Sequence, residues 1–275
     1  MTMVPSVLIP IAPGTNRNDE LAMAFRAAGA EAHQVPLQAL RSGEAKLADH
    51  QLLGLPGGFS YGDALGAGRL LALDLGGWFA ESLAEATARE MPIIGICNGF
   101  QALVKAGLLP GRVEPSERGQ DPRLPGGLTR TAGDQVVATL AENANGHFEC
   151  RWVDLLPGSA DSVWTRGLSG PLRCPVAHGE GRFVSSDLAA IEAADQVAFR
   201  YCTADGTPAG GRYPANPNGS DSDVAGIVDG TGLVLGLMPH PEDHVLDRQD
   251  PQGRRELGGT CLTLFENGVR AVAGD

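Results

Sequence analysis

The chain has 275 residues, 43% hydrophobic and 20% charged, a globular composition with room for one large α/β core or two small ones. Its 33 acidic and 21 basic residues leave a net charge of −12 with no long single-sign block, which excludes a broad nucleic-acid or anionic-membrane surface. No apolar run reaches the roughly 20 residues of a membrane span, the N-terminus shows no basic-then-apolar leader, and five cysteines without a C-x-x-C pair exclude a disulfide framework or zinc site and fit a reducing cytoplasm.

Val7 to Ile11 reads as the first strand, closed by Ala12-Pro-Gly-Thr15. Asn18 or Asp19 can cap a helix with Leu21, Ala24, Phe25 and Ala28 on one stripe and Gly29 as its stop. Glu31 to Val35 and Gln51 to Leu55 follow as strands, the second running into Pro56-Gly-Gly-Phe-Ser-Tyr-Gly-Asp63. Leu70 to Ala88 reads as helical, interrupted at Gly76-Gly77, and Ile93, Ile94 and Ile96 form a strand apolar on both faces. Strand and helix alternating at these intervals predict a three-layer, flavodoxin-like α/β fold, its mostly parallel sheet covered on both faces. Glu114 to Gln135 shifts to Gly, Pro and charge, a surface excursion. Asp134 to Leu140, His147 to Leu155, Pro175 to Phe183, Gln196 to Tyr201 and Leu233 to Met238 read as strands, and Gly259 to Val272 as the last helix. Phe148, Cys150 and Trp152 alternate with polar partners, which places Cys150 in the core. Asp205 to Asp223 is a Gly/Pro/Asn-rich loop long enough to cover something. No linker divides the chain, so residues 1–275 are expected to form one domain.

Gly95-Ile-Cys97-Asn-Gly99 stands where the apolar strand stops and a helical pattern (Phe100, Leu103, Val104, Leu108) begins. A sharp strand-to-helix turn needs small neighbours and leaves its central side chain exposed at the sheet edge, facing a helix N-terminus whose orphan N–H groups favour a thiolate. Cys97 is therefore the expected nucleophile. Met238-Pro-His-Pro-Glu242 supplies its partners: the prolines bias the segment away from helix, and the i, i+2 spacing puts His240 and Glu242 on one face of an extended chain. A cysteine nucleophile needs an imidazole to carry its proton and a carboxylate to orient the ring. Backbone N–H groups of Asn98, next after the nucleophile, and Gly58 of the Pro56-Gly57-Gly58 turn are the expected oxyanion donors, with Gly57 an alternative to Gly58.

These residues resemble the class I, triad-type glutamine amidotransferases, which use Cys, His and Glu in this chain order. L-P-G-G-F-S-Y-G-D, G-I-C-N-G-F-Q with G-L-L-P-G, His178-Gly-Glu-Gly-Arg-Phe183, Tyr213-Pro-Ala-Asn-Pro-Asn-Gly-Ser220 and M-P-H-P-E narrow the likeness to glutaminase subunits of phosphoribosylformylglycinamidine synthases. Asn145 with Arg151-Trp152, and Arg200-Tyr-Cys-x-Ala-Asp-Gly206, extend it. The resemblance implies that L-glutamine is hydrolysed to glutamate and ammonia through a Cys97 thioester. It implies glutamine-binding positions at Gln101, His178, Gly179 and Glu180. It also implies a synthetase partner with a small accessory subunit, in purine biosynthesis. The chain itself needs no cofactor or metal on this reading: ATP and Mg belong to the synthetase, and no G-x-x-x-x-G-K-[ST] occurs here. Arg17 stands where related chains often carry a cysteine, and Asp243-His244 where Arg is commoner; His244 is read as a supporting or surface residue. The 114–144 stretch and the tail beyond Leu246 are longer than in compact members. The triad alone leaves open a glutaminase feeding another synthetase, an inactive scaffold, or a hydrolase on the same fold.

Overall fold

The computed structural model describes residues 4–111, 137–251 and 260–273. The chain runs β1 (Ser6–Ile11), α1 (Asn18–Ala27), β2 (Glu31–Pro36), α2 (Leu37–Ser42), β3 (Leu52–Leu55), α3 (Arg69–Gly76), α4 (Ala80–Ala88), β4 (Ile93–Ile96) and α5 (Asn98–Lys105). It continues with β5 (Ala138–Ala141), β6 (Glu149–Pro157), β7 (Leu172–His178), β8 (Arg182–Ser185), α6 (Leu188–Ala193), β9 (Val197–Cys202), β10 (Val224–Val228), β11 (Val234–Leu237) and α7 (Leu262–Arg270).

Nine strands form one sheet in the order β2-β1-β3-β4-β11-β10-β9-β6-β7, and β5 pairs antiparallel with β8 in a small second sheet. The pairings from β2 to β11 are parallel and those from β11 to β7 antiparallel, so in the large sheet only β10 and β6 run against the rest. Glycines on the central strands set how closely the helices approach. A Cβ on Gly54 would meet Leu21 and Phe25 of α1, both at 3.1 Å, while one on Gly236 would fall 2.1 Å from the Phe100 ring of α5. Gly54 pairs with Ile94, and Gly95 pairs with Leu55 and Gly236, so α1 and α5 lie on opposite faces. Phe25 meets Phe265 of α7 edge-on at 5.3 Å, which places α7 beside α1. Two helical layers therefore sandwich the parallel strands, whose central residues have no exposed side.

Several expectations need correction. Cys150 is exposed, not core: β6 does alternate, but Glu149, Val153 and Leu155 are its buried phase, and Phe148 is 54% exposed. Helix α1 begins at Asn18, with Arg17 at the cap position and no side-chain cap, since the Asn18 amide turns to Gln34. The 70–88 run is two helices, broken where Gly77 leaves helical geometry (φ −102°, ψ −111°). The sequence reading missed α2, α6 and β10, all short and without clear periodicity. The 114–135 excursion lies outside the described residues, and the 134–140 strand is described only from residue 137.

Candidate active site

Cys97 sits between β4 and α5 with φ 50° and ψ −105°, a strained conformation for a residue with a side chain. Its neighbours explain how the turn is held. A Cβ at Gly99 would lie 2.2 Å from the Leu55 carbonyl, and one at Gly95 would lie 2.5 Å from Leu103 and 2.9 Å from the Gly99 backbone. Only glycine permits α5 to start this close to β3 and β4. The Cys97 N–H donates to the Leu237 carbonyl (2.8 Å), tying the turn to the end of β11.

The same edge of β11 delivers His240 and Glu242. His240 donates its backbone N–H to the Pro175 carbonyl of β7 (2.8 Å), and its Nδ1 lies 2.7 Å from Oε1 of Glu242. Both side chains are buried, and Glu242 is fully so. Nε2 of His240 makes no hydrogen bond of full geometry among the described residues. A methyl group at Gly57 would fall 2.8 Å from Cε1 of His240 and 3.5 Å from Cβ of Cys97, so the ring and the sulfur-bearing carbon share one small space. Burial disfavours the imidazolium, but the Glu242 carboxylate and the Cys97 sulfur outweigh it and hold the imidazole's proton affinity well above its ordinary value.

Gly58, with φ 129°, is packed so tightly that a Cβ would lie 2.7 Å from the Asn16 nitrogen, and it bridges Thr15. Asn98 opens α5, where backbone N–H groups have no intrahelical partner. Its side chain accepts from Ser60 Oγ (2.5 Å) and donates to Asp63 (2.9 Å) and Gln101 (3.1 Å). Gln101 in turn donates to the Glu180 carbonyl (2.6 Å), while the Glu180 carboxylate accepts from the Ala67 N–H (3.2 Å) and lies 3.9 Å from Lys105. Gln101 and Glu180 thus join the turn after β3, the elbow helix and the 178–182 run into one wall.

His178 lies behind that wall. Nδ1 faces Asn143 (3.1 Å), Nε2 faces Asn218 (3.5 Å), and burial followed by the charge of His240 lowers its pKa to about 4. Gly179 accepts at its carbonyl from Asn143 N–H (2.9 Å). The 205–223 loop does cover something: Asn218 donates to the Gly181 carbonyl (2.8 Å) and Ser220 Oγ accepts from Phe183 N–H (2.9 Å). His244 is buried, with Nδ1 2.5 Å from the Arg173 carbonyl and its ring edge-on to Trp152.

Sequence reasoning missed Ser60, Asp63, Asn143 and Asn218. The first two stand inside the G-F-S-Y-G-D turn and could have been suspected as polar residues in a glycine-rich segment. Asn143 carries no local signal, because its four side-chain hydrogen bonds join His147 to His178 and Gly181, more than thirty positions away.

Comparison with known proteins places the chain among glutamine amidotransferases. The model of the CobB/CobQ-like glutamine amidotransferase domain matches residues 4–272. A phosphoribosylformylglycinamidine synthase subunit PurQ from Treponema denticola is 43% identical over 277 residues, covering 98% of this chain and all of the relative. The subunit of that name from Methanococcus maripaludis is 37% identical over 91% of this chain and 86% of its own length. Among solved structures, a chain of PurLQS from Thermotoga maritima superposes with a TM-score of 0.71 at 31% identity, covering 98% of this chain and 100% of that one. A glutamine amidotransferase from the same organism, at 17% identity and a TM-score of 0.55 over 98% of both chains, shares the fold.

Proposed function

This chain belongs to the CobB/CobQ-like glutamine amidotransferase family, and from that premise we infer that it is the glutaminase subunit of a phosphoribosylformylglycinamidine synthase. It is an enzyme that takes L-glutamine as substrate and works in a complex with a synthetase subunit. Beyond this, we read residues 1–275 as one amidotransferase domain. We assign ATP and Mg chemistry to the synthetase, include a small accessory subunit in the complex, and place the assembly in the cytoplasm. Among the described residues no helix is long and apolar enough to cross a membrane.

The observation that carries the mechanism is the strained Cys97 at the head of α5, sharing its space with a histidine bonded to Glu242 at 2.7 Å. His240 takes the Cys97 thiol proton at Nε2, Glu242 holds the resulting imidazolium by Nδ1, and the Cys97 sulfur attacks the glutamine amide carbon. The oxyanion is met by the N–H groups of Asn98 and Gly58. The tetrahedral adduct collapses, the C–N bond breaks, and His240 returns the proton to the departing ammonia, leaving a glutamyl thioester. Water, deprotonated by His240, cleaves the thioester to glutamate, and Cys97 recovers its proton. Gln101, Gly179 and Glu180 form the glutamine-side wall in this reading, and His178 supports it from behind. Gln101 and Glu180 act through the hydrogen bonds that fix the pocket's shape, and His178 stays neutral at pH 7.

The test is a Cys97→Ala subunit reconstituted with its synthetase. Glutamine-dependent amidine synthesis should vanish while ammonia-dependent synthesis persists. Retained use of glutamine would refute the mechanism, and a native-extract pull-down that returned a different ATP-dependent synthetase would refute the assigned partner.

A further inference from the structure

Arg17 occupies a position that local helix energetics disfavour. It stands at the cap of α1, where the helix presents its positive end, and it makes no side-chain capping bond. Its guanidinium instead reaches Glu20 at 3.0 Å and, outside the helix, Asp243 at 3.6 Å. Asp243 directly follows Glu242 in the 3-10 turn 241–244, and a ring nitrogen of His240 and carboxylate oxygens of Glu242 and Asp243 all lie within 4.8 Å of one another. Oε1 of Glu242 is taken by His240, while Oε2 is buried without a hydrogen-bond partner among the described residues. Two carboxylates thus crowd one imidazole, and Arg17 is the guanidinium that reaches Asp243.

We propose that Arg17 is a positioning residue for the glutaminase reaction, acting through Asp243 to set the charge around the Glu242–His240 pair. With Arg17 in place, Asp243 ionises beside Glu242 and its negative charge favours the imidazolium that pairs with the Cys97 thiolate. Without Arg17, the two carboxylates repel and Asp243 keeps its proton, so that stabilisation is lost. The proposal rests on the triad assigned above.

The groups facing this turn define the balance. From α1 come Arg17 and Glu20, and from the turn itself His240, Glu242 and His244. β7 contributes Arg173, paired with Asp154 and Asp250, and Cys174; α7 follows Cys261, and the next turn carries Asp247 and Arg248. Burial and then Glu242 push Asp243 up to about 6, against the opposing pull of His240 and Arg17.

The experiment measures the rate of Cys97 alkylation by iodoacetamide against pH in the full chain, resolved by peptide mass spectrometry so that exposed Cys150 does not contribute. The wild-type rate should fall through an inflection near pH 6, where Asp243 takes its proton. Arg17→Gln should move that inflection upward by at least about one pH unit, and Arg17→Lys should leave it near the wild-type position. Asp243→Asn should remove it, and adding Arg17→Gln to Asp243→Asn should change nothing further. A wild-type profile without the inflection, an unmoved inflection in Arg17→Gln, or an Arg17→Gln effect that persists undiminished beside Asp243→Asn would each overturn the proposal. If Arg17→Gln fails to fold, Arg17→Met, which keeps the aliphatic stem and removes the charge, is read by the same criteria. A His240→Ala chain whose Cys97 reacts just as the wild type does would instead refute the triad itself.

Discussion

Two halves of one sheet meet between β11 and β10. On the parallel side, β3, β4 and β11 end at a common edge, and the turns leaving them carry Gly57, Cys97 and His240 into one small space. On the antiparallel side, β6, β7 and the adjoining loops supply no member of the triad. They supply Pro175, whose carbonyl holds the His240 backbone, and the Asn143–His178–Asn218 cluster behind the pocket wall. The parallel half thus holds the groups to which we assign the exchange of protons and bonds, and the antiparallel half contacts them from behind. Chemistry placed at the ends of parallel strands inherits its geometry from the sheet, whereas a wall made of loops has to be fixed by buried hydrogen bonds.

Substitutions should respect that division. The largest effect is expected at Cys97→Ala and His240→Ala, each lowering glutamine hydrolysis by at least roughly 10^4-fold in a steady-state assay, with the double variant no worse than either alone. A double variant much slower than both singles would show that the two residues do not act as a unit. Next comes Gly99→Ala, whose methyl would sit 2.2 Å from the Leu55 carbonyl. Overpacking against backbone should cost about 3 kcal/mol or more in urea unfolding, or prevent folding; an unchanged midpoint would contradict the close approach of α5 to β3. Asn143→Ala, on the antiparallel side, strands several buried partners and should lower stability by about 1–3 kcal/mol. It should impair activity far less than loss of His240 does. Equal damage from the two would erase the distinction between the halves.

His178 offers a subtler test. Its folded pKa of about 4 lies below the unfolded value of about 6.5, so the unfolded chain binds more protons between those limits. Its contribution is therefore fully present above pH 6.5 and is lost as pH falls toward 4. Replacing it by Gln should flatten the pH dependence of unfolding free energy in that window by up to about 3 kcal/mol relative to wild type. Parallel curves for the two proteins would mean that His178 is not held neutral by burial. At the small end, Cys150→Ser should change neither stability nor glutaminase rate by a measurable amount, since the side chain is exposed.

The same division explains what the sequence disclosed. The strands Ile93–Ile96 and Val234–Leu237 are continuous apolar runs ending in Gly-x-Cys-x-Gly and Pro-His-Pro-Glu, so position, element and chemistry coincide within a few residues. On the antiparallel side one face of β6 is half wet, and Phe148, Cys150 and Trp152 gave the right period in the wrong phase. β10 went unnoticed because Val224–Val228 follows directly on a polar loop and contains a glycine needed for close contact with Gly236 and Leu237. The Arg17–Asp243 contact joins residues over two hundred positions apart, a relation no local pattern reports.

The most direct test of the account uses a diazoketone analogue of glutamine on the reconstituted complex. One equivalent should attach to Cys97 alone, and glutamine-dependent synthesis should disappear in step with labelling while ammonia-dependent synthesis continues. Attachment to a different residue, or glutamine use that survives complete labelling of Cys97, would contradict it.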